Sequence, residues 1–498
     1  MTTLPGLLAR SALKYPDRPA LRVPAQGVDW TWGELAGRAR SAAAALLAAG
    51  VGPGDRVAVV AGNTAEFVVA FYGAQMAGAA VVPASPRLTA PEVAYVLGHS
   101  GCRVGVVAPE AAAVAAEAAA GLPVRLLDAG ELPATVPDGA PALPTLMAEA
   151  DAEILYTSGT TGRAKGVVMT HAGAVEAAAM AAYEFGFRVG ERVAILMPLT
   201  HSAPLNLFLA GAAYTGSTVV LGAFNPREPA AMLEWLAAER ANYLFAAPVA
   251  YLLGLRADPA SHDLSHMRRW IYGGAPMAPA QVEAVRQAYG GSWMGVYGLT
   301  ETGPNGTALA PEEHDQHAGS LGWRATVNTV LRLLDADGRD VPPGEPGEIV
   351  LRTPSAMRGY LDDPAATAQT LRDGWVWTGD MARRDEHGYL WMLDRRRDIV
   401  LSGGLNVYPK EVEDAIAGHP AVADVAVVGT PHPEWGETVC AVVVLRPGGQ
   451  LTLAELRQFL GDRLTSQKHP RRLEVVAEVP RNATGKALRH VLRERLGG

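Results

Sequence analysis

An α/β fold with a smaller α+β unit behind it is what this chain predicts, on three observations. Helix and strand patterns alternate along its first part, a run of charge breaks the apolar pattern at Asp394–Asp398, and a different pattern follows over about one hundred residues, enough for a domain of its own. Trp30 to Ala49 has helical periodicity, with Thr31 as N-cap, Glu34 three residues on and Gly50 just past the end. Arg56–Val60 reads as a buried strand, Ala65–Ala77 as a helix and Ala80–Pro83 as the next strand. Strand–helix–strand repetition implies parallel or mixed sheets covered by helices. Ala111–Ala120, nearly all alanine and glutamate, reads as a surface helix, and the Pro/Ala/Gly-rich Leu132–Leu146 as an exposed connection. The charged run fits a connector better than a core element. Beyond it, Val422–Val428 and Val439–Leu445 read as strands, Leu453–Leu464 as a helix and Leu473–Val479 as a strand. The domains expected are 1–394 and 398–498, joined by a connector at 395–397.

Bulk properties narrow the function. The 498 residues are too many for one core, and 49% apolar content is ordinary for a globular chain. A formal net charge of -8 argues against wrapping nucleic acid. Two cysteines far apart, Cys102 and Cys440, form neither a disulfide framework nor a metal cluster and fit a reducing compartment. The start, Met1-Thr2-Thr3-Leu4-Pro5, lacks a signal-peptide pattern, and Ala-rich windows such as Ser41–Gly50 are too short to span a bilayer. The expectation is a cytoplasmic protein with no membrane or nucleic-acid partner.

The chemistry is concentrated in Tyr156-Thr157-Ser158-Gly159-Thr160-Thr161-Gly162-Arg163-Ala164-Lys165-Gly166. Glycines bring backbone N–H groups close to an anion, hydroxyls add donors, and Lys165 adds a mobile cation. That is a phosphate cradle, although the GxxxxGK[ST] spacing of the Walker loop is absent. Further segments follow in order: Pro198-Leu199-Thr200-His201, Tyr272-Gly273-Gly274-Ala275-Pro276, Tyr297-Gly298-Leu299-Thr300-Glu301-Thr302, Trp377-Thr378-Gly379-Asp380, Asp394-Arg395-Arg396-Arg397-Asp398, Ser402-Gly403-Gly404 and Pro480-Arg481-Asn482-Ala483-Thr484-Gly485-Lys486.

In identity and order these segments resemble the adenylate-forming superfamily, which holds acyl-CoA synthetases, peptide-synthetase adenylation domains and firefly luciferases. The resemblance covers essentially the whole chain. It implies a large N-terminal domain, a small mobile C-terminal domain and an active site between them. It also implies a reaction in which a carboxylate attacks the α-phosphate of ATP and expels pyrophosphate, after which a thiol takes the acyl group.

By that resemblance the nucleotide is held by Thr157, Ser158, Gly159, Thr160, Thr161, Gly162 and Lys165, with Thr160 also counted among the catalytic residues. Gly273, Gly274, Ala275 and Pro276 run along the other side of the nucleotide, Tyr297 stacks on adenine, and Gly298 and Thr300 complete that loop. Glu301 holds Mg2+, Asp380 accepts both ribose hydroxyls and Arg395 also reaches the ribose. A carboxylate accepts two hydrogen bonds without donating, which suits a vicinal diol. Lys486 reaches the α-phosphate and the substrate carboxylate as a flexible point charge. It must withdraw before the thiol arrives, which gives rotation about the hinge residue Arg397 a purpose. The family usually keeps Lys or Asp at that hinge, so Arg397 is a departure that preserves charge and length. Ser402, Gly403 and Gly404 resemble the lining of the thiol tunnel, and His201 the aromatic gate beside it.

The acyl pocket is expected from His201, Ala203, Asn206, Gly295, Val296 and Gly303. Ser202-Ala203-Pro204-Leu205-Asn206 carries no acidic residue to pair with an ammonium, so an α-amino acid is not expected. No arginine cluster lies there or at Gly303–Asn305, which disfavours a dicarboxylate. The family often has Gln-Gly before the Tyr297 position; Gly295-Val296 stands here and changes that wall. A hydrophobic fatty, aryl or polycyclic acid is expected. Coenzyme A is the expected acceptor because no carrier-protein segment follows Lys486, with an acyl carrier protein as the alternative. A nucleotide-binding regulator without catalysis is the reading of another class, opposed by Lys486, Glu301 and Asp380. A monomer or homodimer is expected.

Overall fold

The computed structural model describes residues 2–157, 164–402, 405–432, 436–461, 463–481 and 487–497. Among them, two large sheets face a shared helical layer. The first has seven strands in the order Gly359–Tyr360, Lys165–Thr170, Asp151–Thr157, Ala80–Ala84, Arg56–Val60, Val104–Val107 and Arg125–Asp128. The second has nine, with Gly306–Leu309, Trp293–Gly298, Arg269–Gly273, Tyr243–Ala246 and Arg192–Ile195 side by side. Parallel pairing dominates the centres of both sheets, as the strand–helix–strand pattern requires.

The helix Trp32–Ala48 begins on the expected capping box: Glu34 N donates to Thr31 Oγ1 at 3.2 Å and Thr31 N donates to Glu34 Oε2 at 2.8 Å. It packs with Ala65–Met76 in the apolar layer between the sheets. Gly73 permits that approach, since a Cβ there would lie 2.6 Å from Ala42 Cβ. Ala112–Ala119 is the expected surface helix, with Ala115 and Ala118 turned inward. Residues 132–150 run as an irregular connection.

A five-stranded sheet containing Pro346–Arg352, Trp375–Arg384 and Leu390–Arg395 follows, then a sheet built on Val422–His432 and Gly436–Leu445. Arg472–Val475 joins that last sheet in parallel. It stops before the expected Val479 because its partner ends at Leu445, two residues beyond the Val475–Val443 pair. The helix expected to Leu464 ends at Leu460, with Gly461 as its C-cap.

The charged run needs a larger correction. It is not a solvated connector. Asp394 and Arg395 finish the strand Leu390–Arg395, and Asp394 and Asp398 are buried. Arg489 NH1 meets Asp394 Oδ1 at 2.7 Å and Asp398 Oδ2 at 3.4 Å, while its NH2 meets Glu413 Oε1 at 2.8 Å. The charges are compensated by a residue about ninety positions later, which a linear reading does not reveal. Among the described residues no helix is long and apolar enough to cross a membrane.

Candidate active site

Strand register assembles the first part of the site. Trp375–Arg384 and Leu390–Arg395 pair antiparallel with Asp380 directly opposite Arg395. Arg395 Nε then lies 3.0 Å from Asp380 Oδ1, and Tyr297 Oη donates to Asp380 Oδ2 at 2.8 Å. The carboxylate is buried, so both bonds form in a weakly screened setting. Burial alone lowers the proton affinity of Arg395, but Asp380, Tyr297 and Glu301 outweigh it and hold the guanidinium firmly charged. Tyr297 is pushed well above the ordinary phenol range by burial and by Asp380. Glu348 supports this corner, accepting from Gly379 N at 2.9 Å and lying 3.3 Å from Arg396 NH1.

The second part surrounds Glu301, in the single turn Thr300–Thr302 that follows the strand Trp293–Gly298. Gly303 ends that turn at φ +76°, and a Cβ there would lie 2.3 Å from Ser355 O, so only glycine fits. Ser355 Oγ donates to Thr302 O at 2.7 Å and fixes the turn from outside. Tyr360 Oη donates to Glu301 Oε1 at 2.8 Å. The same ring lies 4.9 Å from Lys165 Nζ, which is also 3.8 Å from Asp363 Oδ2. Thr157 pairs with Lys165 across the hairpin stem, so the two ends of the phosphate loop are held together. Ser202 and Thr300 share a hydroxyl–hydroxyl bond of 3.0 Å.

The remaining expected residues divide. Gly273 ends the strand Arg269–Gly273, and Gly274, Ala275 and Pro276 follow in a turn at the surface. Gly298 ends the strand before the Glu301 turn. His201 precedes the helix and is kept neutral by burial, which lowers its pKa. Ala203–Leu209 is a wide, π-type helical turn of the kind common at functional sites. Ala203 and Val296 both meet the apolar layer between the sheets. Gly295 does not: a Cβ there would sit 2.8 Å from Tyr272 Oη, because consecutive strand residues address opposite faces. Ser402 is buried at the end of Val400–Ser402. Ser158, Gly159, Thr160, Thr161, Gly162, Gly403, Gly404 and Lys486, and the side chain of Arg397, lie outside the described residues.

Four residues escaped the sequence reading. Tyr360, Ser355 and Glu348 arrive from other strands and loops and carried no local signal. Glu153 did carry one, as a charge inside the apolar strand Asp151–Thr157. It is fully buried, Asn206 Nδ2 donates to its Oε1 at 2.5 Å, and burial pushes its pKa up to about 7 against that hydrogen bond. The folded carboxyl therefore keeps its proton better than the unfolded one. Its stabilising contribution is whole below about pH 4 and is lost as pH rises through about 7. Glu153→Gln lacks this dependence. Urea titrations are expected to show the variant gaining on the wild type from pH 4 to 8, by up to roughly 3 kcal/mol; parallel curves would remove the buried acid from the stability balance.

Among the described residues no cluster of three or more His, Cys, Asp or Glu forms a metal cage. A lone carboxylate such as Glu301 still suits Mg2+, which keeps its waters and shares oxygens with phosphates rather than entering an all-protein cage. The Thr157–Lys165 stem, the buried carboxylate–arginine pair and the Glu301 turn lie in one region. The AMP-binding enzyme family matches residues 8–361, and its C-terminal domain matches residues 411–486. The chain belongs to the AMP-binding enzyme family. This AMP-binding enzyme is 38% identical over 474 residues to a feruloyl-CoA synthase of Amycolatopsis sp., covering 95% of each chain. It is 36% identical to the fatty acid–[acyl-carrier-protein] ligase ScoC of Streptomyces coeruleorubidus, covering 100% of this chain and 97% of that one. Its fold is similar to the crystal structure of the anthranilate CoA ligase AuaEII in complex with anthranoyl-AMP, with a TM-score of 0.90, 27% identity and coverage of 99% and 97%. Membership makes the chain an adenylate-forming ligase, with the large and small domains of that superfamily.

Proposed function

We propose that this protein is an ATP-dependent carboxylic acid–CoA ligase acting on a hydrophobic fatty, aryl or polycyclic acid. The observation that carries the reading is the Tyr297–Asp380–Arg395 clamp beside Glu301 and Lys165. Asp380 accepts the ribose hydroxyls, Arg395 neutralises and orients it, and Tyr297 gives the adenine a flat face. Lys165 and the loop it closes bind phosphate oxygens, and Glu301 would hold Mg2+. Mg2+ would supply charge neutralisation on the phosphates. Lys486, brought by residues 398–498 turning about Arg397, sits between the acid's carboxylate and the α-phosphate. The carboxylate oxygen attacks phosphorus in line and pyrophosphate leaves. After Lys486 withdraws, the CoA thiol passes Ser402, Gly403 and Gly404 and attacks the acyl carbonyl, releasing AMP. His201 stays neutral at the gate and adds no charge that would hold the leaving nucleotide. The feruloyl and anthranilate names of two relatives denote aromatic acids, which supports including aryl acids in the proposed range.

Loading an acyl carrier protein is the second reading, favoured by the likeness to ScoC. One experiment separates them. Enzyme, Mg-ATP and a panel of fatty and aryl acids are incubated with CoA or with a holo carrier protein, and pyrophosphate and acyl-thioester are followed. Acyl-CoA is the expected product; acylation of the carrier alone would replace the first reading by the second. Pyrophosphate released only with amino acids or diacids would overturn the acid class.

A further inference from the structure

The carboxyl ends of strands in the two large sheets are joined by a side chain to which the chemistry above gives no part. Asn63 lies in the turn between the strand Arg56–Val60 of the first sheet and the helix Ala65–Met76. From there it crosses to the second sheet. Its Nδ2 donates to Met197 O and to Gly222 O, each at 3.0 Å, and its Oδ1 accepts from Leu199 N at 2.9 Å. The strands Arg192–Ile195 and Thr218–Leu221 end just before these groups, so the side-chain amide stands in for a missing peptide of the ladder. Both amide protons and the amide oxygen are used. An aspartate would turn an oxygen on two carbonyls, and a hydroxyl meets only part of the set.

What Asn63 holds leads directly to His201. Leu199 and Met197 precede it by two and four residues, and His201 N donates to Pro198 O at 3.1 Å, closing a turn around the anchored Leu199. His201 O accepts from Leu205 N at 3.2 Å at the entry of the wide helix Ala203–Leu209. The far end of the segment has another anchor, the 3.0 Å bond between Ser202 and Thr300. The Glu301 turn has its own supports in Gly303, Ser355 and Tyr360.

Resting on the acid-ligase reading, we propose that Asn63 is a positioning residue for thioester formation, setting His201 at the gate through which the thiol meets the acyl-adenylate. Without Asn63, two carbonyls and one N–H lose their partners, and the near end of the His201 turn is released. A shift of about 1 Å at a reacting site costs on the order of 10²-fold in rate. The Glu301 turn and the Thr157–Lys165 stem keep their contacts, so the loss falls on the thiol step more than on adenylate formation.

Rapid-quench single turnovers read the two steps apart, with octanoic or cinnamic acid as probe, whichever the wild type turns over faster. Adenylate formation is the pyrophosphate released without a thiol. Thioester formation is the acyl-thioester made when CoA, or the holo carrier protein where that alone is acylated, meets preformed adenylate. Wild type, Asn63→Ala, His201→Ala and the double variant are compared. Asn63→Ala is expected to slow the thioester step by about tenfold or more beyond any loss in adenylate formation. In the His201→Ala background the same substitution should slow that step by about threefold or less, because it acts through His201. Should Asn63→Ala fail to fold, Asn63→Asp is read on the same two steps. Equal losses in both steps, or full additivity with His201→Ala, overturns the assignment and leaves the ligase reading intact. A wild type that releases no pyrophosphate from any fatty or aryl acid removes the ligase reading, and the assignment with it.

Discussion

Asp380→Asn is expected to weaken Mg-ATP binding by roughly two orders of magnitude while the chain stays folded. The substitution keeps shape and removes the charge that Arg395 faces at 3.0 Å. It also replaces one acceptor oxygen by an NH2 group that must confront either the Arg395 N–H or the Tyr297 hydroxyl, both of which donate to this carboxylate. The Tyr297 hydroxyl can turn to accept from that NH2, but the amide leaves Arg395 without its counter-charge and the ribose with one acceptor oxygen fewer. Titration calorimetry with Mg-ATP measures the loss, and single-turnover adenylate formation should fall in parallel. Tyr297→Phe removes one neutral donor and should cost about tenfold or less. Nucleotide affinity unchanged in Asp380→Asn would take this carboxylate out of the nucleotide site.

Arg489→Met is expected to cost about 3–5 kcal/mol of stability, the range for breaking a buried ion pair from one side. Arg489 opens the helix Arg489–Arg495 and supplies one guanidinium to Asp394, Asp398 and Glu413. Asp394 belongs to the strand Leu390–Arg395 that runs into the charged segment and Glu413 to the helix Pro409–Ala417, so the cation fastens the carboxy-terminal unit to that strand. Methionine fills similar volume without compensating these charges. Arg489→Lys should recover part of the loss, because an ammonium lacks the fork that reaches several carboxylates. The deficit should shrink with acid: burial raises Asp394 to about 6 despite Arg489, and below that value its protonated form no longer needs a cation. Denaturant curves at pH 5 and pH 8 read both effects. Equal stability of variant and wild type at pH 8 would show that the network contributes nothing.

What the linear chain disclosed was whatever is local. The capping box at Thr31 and Glu34 and the buried strands Arg56–Val60 and Ala80–Ala84 are written within a few residues of themselves, and periodicity or capping chemistry exposes them. Asp380 and Arg395 were each visible in a motif, but their pairing is a matter of register between two strands. Tyr360 was silent because its role depends on lying against Lys165–Thr170 and beneath Glu301 at once. The run Asp394–Asp398 misled because charge looks solvated until its distant counter-ion is found. Glu153 was the one hidden feature with a legible trace, an acid inside a continuously buried apolar run that has no use for one.

The short strand Gly359–Tyr360 hydrogen-bonds to Val167 and Val168 on one side and lends its phenol to Glu301 on the other. On the proposed reading, the stem that would bind the phosphates and the carboxylate that would hold their counter-ion share one support, so a change at Tyr360 is expected to disturb both.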